Sequence, residues 1–520
     1  MTDLTVSIRN LWGKVLPGLV RGTERFYYSR ILVVLIMVMG IYLRAREYAA
    51  NVSLWYDEAT FALKIQHTPL IHLLMPKHWG GYEPPAFLWL TKLTIYFGGT
   101  SEYVLRLWPF LFSLSALFLF WRIVRRCSSR AAMPVALLLF SISNEIIHYA
   151  DDAKPYACDV ALSLLVCLMG FRMSSKPLSL RRGWVYALFG AVVIWFSHVT
   201  AIVLGGVGMS LWIFSVIDKR REEFRPLFWI SLIWFLSFVY DYFFFLGIEK
   251  TQMAVALWKT SFIPVATESV NDTVWWVNRV MGVFAYPGGM PLYGLSVFAF
   301  LTGCLLFPKG RRRQWMMIMS PFWLAFLAGL FRLYPFNGRL ILFLVPVMCF
   351  FVAEGMTWVT GLVAQRSKIV SVLLLTIFFL HPVLNMYERW HEAETRGEEI
   401  KPVLKVIRDA WQPGDVLYVF YGAIPAFKYY QKRYGIRSED CVWGAKSREN
   451  FTVYLQEMAR FYGRKRVWLL FSHALVIYGQ DERRLILDFL STVGKPVAMY
   501  SKTKADCYLF DLSQVKPLGV

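Results

Sequence analysis

Long apolar runs, separated by short polar segments, recur along most of this 520-residue chain. A helix that crosses about 30 Å of hydrocarbon needs roughly 20 mostly apolar residues. Eleven runs are candidate spans: 26–43, 103–121, 131–147, 156–171, 184–197, 199–217, 227–247, 290–307, 315–333, 340–361 and 369–384. The pattern predicts a polytopic α-helical membrane protein with about eleven transmembrane helices.

One further apolar run, 86–98, is short and contains Lys92, so it could cross the membrane or lie in its interface. If it does not cross, the segments on the side of the N-terminus hold 23 basic and 5 acidic residues, a net charge of +18. Cytoplasmic loops are rich in Lys and Arg. We therefore predict that 86–98 lies along the outer surface, with a cytoplasmic N-terminus and an external C-terminus.

The composition changes after residue 384. We predict a transmembrane domain over 1–384, with outer loops at 44–102 and 248–289, and an extracytoplasmic domain over 385–520. In the second domain the pattern predicts strands at 415–421, 466–471, 497–500 and 507–511, and helices at 424–433 and 481–490. Strands that alternate with helices indicate a small α/β domain.

Composition narrows the function classes. Hydrophobic residues make up 57% of the chain and charged residues 18%, whereas a soluble domain has about 45–50% and about 25%. The net charge of +21 sits in clusters between apolar runs, which indicates membrane orientation rather than nucleic-acid binding. Of seven cysteines, only Cys441 and Cys507 lie in the polar C-terminal region, and whether they pair is open.

The first outer segment carries an acidic pair, Asp57-Glu58, beside Trp55 and Tyr56. A carboxylate at a membrane surface can act as a general base, and partial burial raises its pKa. A solvated loop or a helix cap is the structural alternative. The same segment ends with His78 and Glu83 around a Gly-Gly turn; these two could contact a polar substrate, or the turn could merely redirect the chain.

The short external loop between the third and fourth spans, called the second outer loop below, is rich in ionisable groups. It contains His148, Asp151, Asp152 and Lys154, followed by Tyr156. Ionisable groups at membrane depth are costly and tend to line cavities or polar pathways. A hydrated hairpin in which Lys154 pairs with an aspartate is the structural alternative. Carboxylates that face one cavity suit glycosyl transfer, because they can activate a hydroxyl and stabilise an oxocarbenium-like transition state.

A third outer loop contains Arg332 and Arg339. Arginines are unexpected there, because Lys and Arg are concentrated in cytoplasmic loops. The guanidinium group forms forked hydrogen bonds to phosphate oxygens. We therefore predict a site for an anionic lipid headgroup at these arginines, with simple anchoring to headgroups as the alternative.

Together these motifs resemble the GT-C superfamily of polytopic glycosyltransferases, and in particular its bacterial branch related to protein O-mannosyltransferases and the lipid A aminoarabinose transferase. Asp57 and Glu58 match the acidic pair of the family's first outer loop. The segment 149–156 matches a Tyr-x-x-(Glu/Asp)-Ala-Arg-Pro-Tyr pattern, with Asp152 at the acidic position and Lys154 in place of Arg. Arg339 to Pro346 matches a late Arg-Tyr…Pro pattern, with Leu340 in place of Tyr.

The resemblance implies a sugar donor linked to polyprenyl phosphate, a glycan, lipid or protein acceptor, and inversion at the anomeric carbon. It implies Asp57 as the general base, assisted by Glu58 or Asp152, with Arg339, Arg332 and Lys154 at the leaving phosphate. The remaining expected substrate contacts are His78, Glu83, His148, Asp151 and Tyr156. A divalent metal on Asp57, His148, Asp151 and Asp152 is conceivable by ligand type, but relatives generally work without one, so no cofactor is expected.

Three other functions compete with a glycosyltransferase: a transporter or flippase, another enzyme that acts on outer-leaflet lipids, and an assembly scaffold with the C-terminal region as a binding module. A transporter or flippase would be expected to show inverted repeats or paired broken helices at mid-depth, which the sequence does not show. A ligase acting on lipid-linked saccharides would use the same outer-leaflet chemistry. We expect a multi-pass protein of the bacterial inner membrane that contacts membrane lipids and no nucleic acid. The sugar, the acceptor and the oligomeric state cannot be read from the sequence.

Overall fold

The computed structural model describes residues 30–74, 79, 81–247, 258, 261–263, 270–290, 292–306, 309–391, 397–448, 450–474, 476 and 481–514. These residues form two compact units. The first contains the described parts of Met1–Ala49, Leu70–Thr91 and Arg106–Arg389. The second contains those of Ala50–Pro69, Lys92–Leu105 and Trp390–Val520. The second unit thus groups two outer pieces with the C-terminal region, and the domain boundary at 384 stays a prediction.

Helices dominate the described residues before the C-terminal region. The α-helices before the C-terminal region, in chain order, are α1 Arg30–Ala50, α2 Tyr56–His67, α3 Pro85–Gly98, α4 Glu102–Cys127, α5 Ala132–Ile142, α6 Asn144–His148, α7 Tyr156–Ser175, α8 Leu180–Phe196, α9 Thr200–Ile217, α10 Phe224–Asp241, α11 Val270–Ala285, α12 Tyr293–Leu305, α13 Arg312–Leu330, α14 Val345–Arg366 and α15 Lys368–His391. Short 3₁₀ helices lie at Leu70–Leu74, Tyr149–Asp151, Arg221–Glu223, Lys309–Arg311 and Gly338–Leu344, and a π-helix at Tyr242–Leu246.

Each of the eleven predicted spans coincides with a helix or with two consecutive helical segments. Among the described residues, six helices are long and apolar enough to cross a membrane, and the bent pair α5–α6 would make a seventh. The polytopic helical architecture is therefore confirmed, whereas the count of eleven is not. The run 86–98 is helical, as α3, and its place at the outer surface stays a prediction.

Helix α14 lies at the centre of the first unit. Within Gly338–Arg366, 83% of the most apolar 18-residue segment is buried inside the protein. Within Lys368–Glu388 of α15 the buried share is 17%. Helix α14 packs against α12 and α5. An apolar helix that leaves most of its surface uncovered by protein suits a lipid environment, because lipid tails replace the missing packing partners.

The third predicted span is broken at Ser143, where α5 and α6 meet at an angle of 50°. A break leaves backbone carbonyls without their helical partners. The fully buried Arg44 guanidinium of α1 donates to the Ser141 and Phe140 carbonyls, at 3.3 and 3.4 Å, and to the Ser113 hydroxyl at 3.0 Å. Arg44 thus stabilises the bend that turns the chain into the second outer loop.

The second unit contains a five-stranded mixed sheet. Its elements are α16 Ile400–Asp409, β1 Val416–Val419, α17 Ile424–Tyr434, β2 Cys441–Trp443, α18 Thr452–Ala459, β3 Val467–Ser472, α19 Glu482–Val493, β4 Lys495–Lys502 and β5 Ala505–Asp511, with a 3₁₀ turn at Ser438–Asp440. The strand order is β2-β1-β3-β5-β4. The neighbours β2, β1 and β3 are parallel, whereas β5 is antiparallel to β3 and β4. The predicted α/β character is confirmed by this sheet.

The six predicted elements of the C-terminal region are all present, within a few residues of their predicted ends. All six residues of β3 are buried, as expected for a central strand covered on both faces. The sequence reading missed β2, which has only three residues, and the helices α16 and α18. Asp481 caps α19 by accepting a hydrogen bond from the Arg484 amide at 3.0 Å, which explains why this helix starts where predicted.

The question of a Cys441–Cys507 disulfide is settled by the strand order. Cys441 lies on β2 and Cys507 on β5, with β1 and β3 between them. Strands are spaced by about 4.8 Å, so three spacings exceed the roughly 7 Å limit for a disulfide. Both cysteines are free. Burial raises the pKa of each thiol to about 12, which makes both poorly reactive.

Candidate functional site

The second outer loop forms a tight hairpin between α6 and α7. The 3₁₀ turn Tyr149–Asp151 follows α6 directly, and the Lys154 amide donates to the Asp152 carbonyl at 2.7 Å. Asp152 is only 2% exposed, and His148 is exposed with its ring edge-on to Tyr149. The hairpin therefore buries the acidic residue that the sequence placed in the catalytic group.

Glu83 and Lys154, both predicted to contact substrate, form an ion pair with each other. Lys154 Nζ lies 2.7 Å from Glu83 Oε1, and Trp79 Nε1 donates to Glu83 Oε2 at 2.8 Å. Burial alone would raise the pKa of Glu83, but the charge and hydrogen bond of Lys154, with the Trp79 hydrogen bond, leave that pKa below its ordinary value. The lysine of the hairpin thus pairs with an acid of the first outer loop.

Gly81 makes this arrangement sterically feasible. A Cβ atom there would lie 2.3 Å from Glu83 Oε2 and 2.5 Å from Trp79 Nε1. The absence of a side chain at Gly81 therefore leaves space for the hydrogen bond between Trp79 and Glu83. His78, from the same turn, lies outside the described residues.

Asp151 is held by a residue that the sequence reading did not single out. Arg106 Nη1 of α4 lies 3.3 Å from Asp151 Oδ2, and both side chains are almost fully buried. An arginine inside an apolar span is costly unless it has a partner. Its presence within the predicted span 103–121 was thus a signal that a buried acid must face it.

Arg339 lies beside aromatic rings from two other segments. Its guanidinium carbon lies 5.5 Å from the ring centre of Tyr156 and 6.0 Å from that of Trp258. Such distances suit cation–π contact, which leaves the edge of a guanidinium able to bind an anion. Helix α7 packs against the 3₁₀ helix Gly338–Leu344, which explains how two loops distant in sequence meet.

Gly338 sets the direction of Arg339. Its φ is +56°, and a Cβ atom would lie 3.0 Å from the Tyr286 ring. A side chain there would meet both backbone strain and the Tyr286 ring. Tyr286 in turn shares a hydrogen bond of 3.2 Å with the Tyr149 hydroxyl, and the Tyr149 ring lies 5.0 Å from that of Tyr156. The hairpin and Arg339 thus belong to one aromatic cluster.

Arg332, predicted to act with Arg339, lies in the turn after α13. It is exposed and has a φ of +56°. Its surroundings differ from the aromatic environment of Arg339, so the structure separates the two arginines by environment although they share an outer loop.

In the second unit, the acidic pair opens helix α2. Both acids lie in its first turn, where carboxylates interact favourably with the positive end of the helix dipole. Glu58 is 1% exposed, whereas Asp57 is half-buried. The two adjacent side chains therefore differ in burial, and Asp57 is the member that solvent can reach.

Chemically, the first unit offers a guanidinium flanked by aromatic rings, a buried Lys–Glu pair and a buried Asp–Arg pair. Such a set can bind an anionic group next to an apolar or sugar ring. In the part of the chain that the structure describes, no group of three His, Cys, Asp or Glu side chains could hold a metal ion. The expectation that no cofactor is needed stays a prediction.

No protein-family model matches the chain, and no curated protein matches it. Solved structures do match. ArnT from Cupriavidus metallidurans bound to undecaprenyl phosphate aligns with a TM-score of 0.51 and 12% identity, over 93% of this chain and 99% of that one. The chain has the fold of ArnT. AglB, an oligosaccharyltransferase from Archaeoglobus fulgidus in complex with an inhibitory peptide and a dolichol-phosphate, aligns with a TM-score of 0.48 and 11% identity, over 91% and 74% of the two chains.

ArnT is the lipid A aminoarabinose transferase and a member of the GT-C superfamily. The resemblance drawn from the sequence motifs is therefore confirmed at the level of the fold. At 12% identity the ArnT fold carries no assignment of individual residues. The roles predicted for Asp57, Glu58, Asp152 and Arg339 stay predictions, to be judged on their geometry in this chain.

Proposed function

We propose that this protein is a membrane glycosyltransferase that moves a sugar from a polyprenyl-phosphate donor to an acceptor hydroxyl on the outer face of the membrane. The observation that carries the proposal is the position of Arg339 against Tyr156 and Trp258. The ArnT fold supports it, since one ArnT structure is bound to undecaprenyl phosphate. The membrane proposed is a bacterial inner membrane, with a cytoplasmic N-terminus, eleven spans and the C-terminal domain outside.

In this proposal Arg339 binds the phosphate of the donor and stabilises the negative charge that grows as the lipid phosphate leaves. Tyr156 and Trp258 keep the guanidinium plane in place. Lys154 shares the developing charge while its ion pair with Glu83 fixes its position. Arg332 is a weaker second phosphate contact, because it lies in an exposed turn.

For the general base we propose Asp57. The acceptor oxygen attacks the anomeric carbon, the bond from that carbon to the phosphate oxygen breaks, and the hydroxyl proton passes to the Asp57 carboxylate. The sugar inverts in this single displacement, and no metal takes part. The half-buried position of Asp57 supports the choice over Glu58, which is buried in the packing of α2. Asp152 assists by positioning polar groups of the substrate.

The test is a transfer assay with the purified full-length protein in lipid nanodiscs. A radiolabelled polyprenyl-phosphate sugar is supplied with membrane extracts or defined acceptors, and release of polyprenyl phosphate is measured. We expect release that depends on the protein and on the acceptor. Movement of intact donor between leaflets without release would instead indicate a flippase.

A further inference from the structure

Helix α2, which carries the acidic pair, lacks a capping side chain of its own. Its N-cap residue is Trp55, which makes no side-chain cap hydrogen bond. The first amides of a helix have no partners inside the helix and need acceptors from elsewhere. The chain must therefore supply the missing acceptor from another element.

The acceptors come from the C-terminal region of the same unit. The Tyr56 amide donates to Glu398 Oε2 at 3.0 Å, and the Ser53 amide donates to Glu399 Oε1 at 3.1 Å. Between them, the Leu54 amide donates to the Tyr430 hydroxyl at 2.9 Å. Three amides of four consecutive residues are thus bound by side chains more than 300 positions away in sequence.

The opposite side of Glu398 is held by His473. Its Nδ1 lies 2.5 Å from Glu398 Oε1, and its ring stacks on that of Tyr56, with centroids 4.5 Å apart and planes at 16°. His473 has a φ of +53°, a conformation that costs energy for a residue with a Cβ atom. The strained backbone places the imidazole between the sheet and α2.

His473 comes directly after β3, at a special place in the sheet. Strand β1 is paired in parallel with both β2 and β3. The chain continues from β1 to β2 on one side of the sheet and from β3 to β4 on the other, so the two connections leave in opposite directions. The crevice at the carboxyl ends of two such strands is where open α/β sheets bind their ligands. In this protein the residue at that edge contacts Tyr56 of the same chain.

We infer that the carboxyl edge of the C-terminal sheet positions the proposed general base, with Glu398 and His473 as positioning residues. Glu398 provides the helix cap that Trp55 does not, and His473 fixes Glu398 and the Tyr56 ring. The first turn of α2 is thereby held in one conformation, with Glu58 buried and Asp57 partly exposed. That Glu398 and His473 anchor the start of α2 does not depend on the function proposed above. That this anchoring serves catalysis rests on that proposed function.

The anchoring is tested by hydrogen exchange on the full-length protein. Glu398→Ala should accelerate exchange of the amides at 53–58 by roughly 5- to 30-fold, as for loss of a helix cap. The matched control is Glu457→Ala. Glu457 is another buried carboxylate of this region, and it also accepts one amide, that of Ala445, and one side chain, Tyr418. Equal acceleration at 53–58 in both variants, or none in Glu398→Ala, would overturn the inference.

The effect on catalysis is tested by comparing the kinetics of two substitutions of His473. Ala removes the donor to Glu398 and retains the strain at positive φ, whereas Asn keeps an N–H donor and tolerates that conformation. We expect His473→Ala to lower kcat severalfold with an unchanged KM for the donor, and His473→Asn to restore most of it. A loss shared by both variants, or a loss confined to KM, would show that His473 has no positioning role.

The two proposals fail in different ways. If the wild-type protein transfers no sugar from any polyprenyl-phosphate donor, the proposed function is wrong, and the exchange experiment still decides whether Glu398 anchors α2. If transfer occurs but the exchange at 53–58 does not respond to Glu398→Ala, the function stands and the positioning inference is wrong.

Discussion

At the scale of single residues, the two outer-loop arginines make a matched pair for testing the phosphate site. Arg339 is flanked by Tyr156 and Trp258, whereas Arg332 is exposed. The exposed residue forms its contacts in water, where the net gain from a charged hydrogen bond is small. The same substitution at both positions therefore separates a specific site from general attraction to headgroups.

Arg339→Ala should raise the KM for the polyprenyl-phosphate donor, because loss of a hydrogen bond to a charged group costs roughly 1.5–3 kcal/mol. Arg339→Lys should recover only part of the loss, since an ammonium cannot form the forked pair of bonds. Arg332→Ala is the control and should change the KM much less. Donor titrations with the three purified variants measure this. Identical values for both alanine variants would remove Arg339 from the phosphate site.

The acidic residues allow a second test at this scale. Asp57→Asn keeps the shape and removes the base, so turnover at saturating donor should fall roughly 10²–10⁴-fold. Glu58→Gln should reduce turnover less, because its side chain packs inside the second unit. Asp152→Asn should fall between them. If Asp57→Asn retains most of its turnover while Asp152→Asn is inactive, the base lies in the second outer loop.

At the scale of elements, the hairpin before α7 depends on contacts with other segments. Its 3₁₀ turn, Tyr149–Asp151, has only three residues. Arg106 of α4 holds Asp151, and Glu83 holds Lys154. These two ion pairs join α4 and the segment before α3 to one hairpin, so each pair should matter more for the local conformation than a surface salt bridge would.

Glu83→Gln should lower the thermal stability of the first unit, because it removes the negative charge that lies 2.7 Å from the largely buried Lys154 ammonium. Breaking a buried pair costs roughly 3–5 kcal/mol, and the slight exposure of both side chains favours the lower end. The pKa of Glu83 lies below its ordinary value in the folded protein. Its contribution is therefore present above that ordinary value and is lost as the pH falls through the folded value.

The stability difference between wild type and Glu83→Gln should accordingly stay constant from pH 7 down to the ordinary pKa of a glutamate and shrink only below it, as the pH falls through the folded pKa. Thermal melts in detergent across this range measure it. A combined variant, Glu83→Gln with Lys154→Met, should recover part of the stability because no buried charge is then unpaired. A difference that is independent of pH would show that the carboxylate charge does not stabilise the hairpin.

At the scale of the whole molecule, the orientation in the membrane remains to be measured. Gly310 and Lys446 are both exposed and lie in segments that the charge distribution assigns to opposite sides. Single cysteines at these positions, in a background where Cys304 and Cys441 are serine, should react with a membrane-impermeant maleimide from opposite faces. We expect Lys446→Cys to react from outside and Gly310→Cys only after the membrane is opened. Reaction of both from one side would contradict the proposed topology.

The sequence by itself determined where the helices lie. Burial in lipid or in protein demands long apolar runs, and backbone hydrogen bonds within each run then require a helix. Four of the five strands of the C-terminal sheet were predicted as well; β3, for example, is apolar from Val467 to Phe471. The acidic pair, the hairpin and the outer arginines were also visible, because ionisable residues beside apolar spans stand out against their surroundings.

Only the tertiary structure decided which of these groups meet. Lys154 pairs with Glu83, Asp151 with Arg106, and Arg339 with Tyr156, and each partner lies on another element. No local pattern encodes such contacts, because helix packing and sheet order set them. The clearest case is α2: its own sequence supplies no cap, and Glu398 becomes that cap only when the sheet brings it to the Tyr56 amide. Pairing between distant segments is a property of packing, whereas the segments themselves follow from hydrophobic pattern.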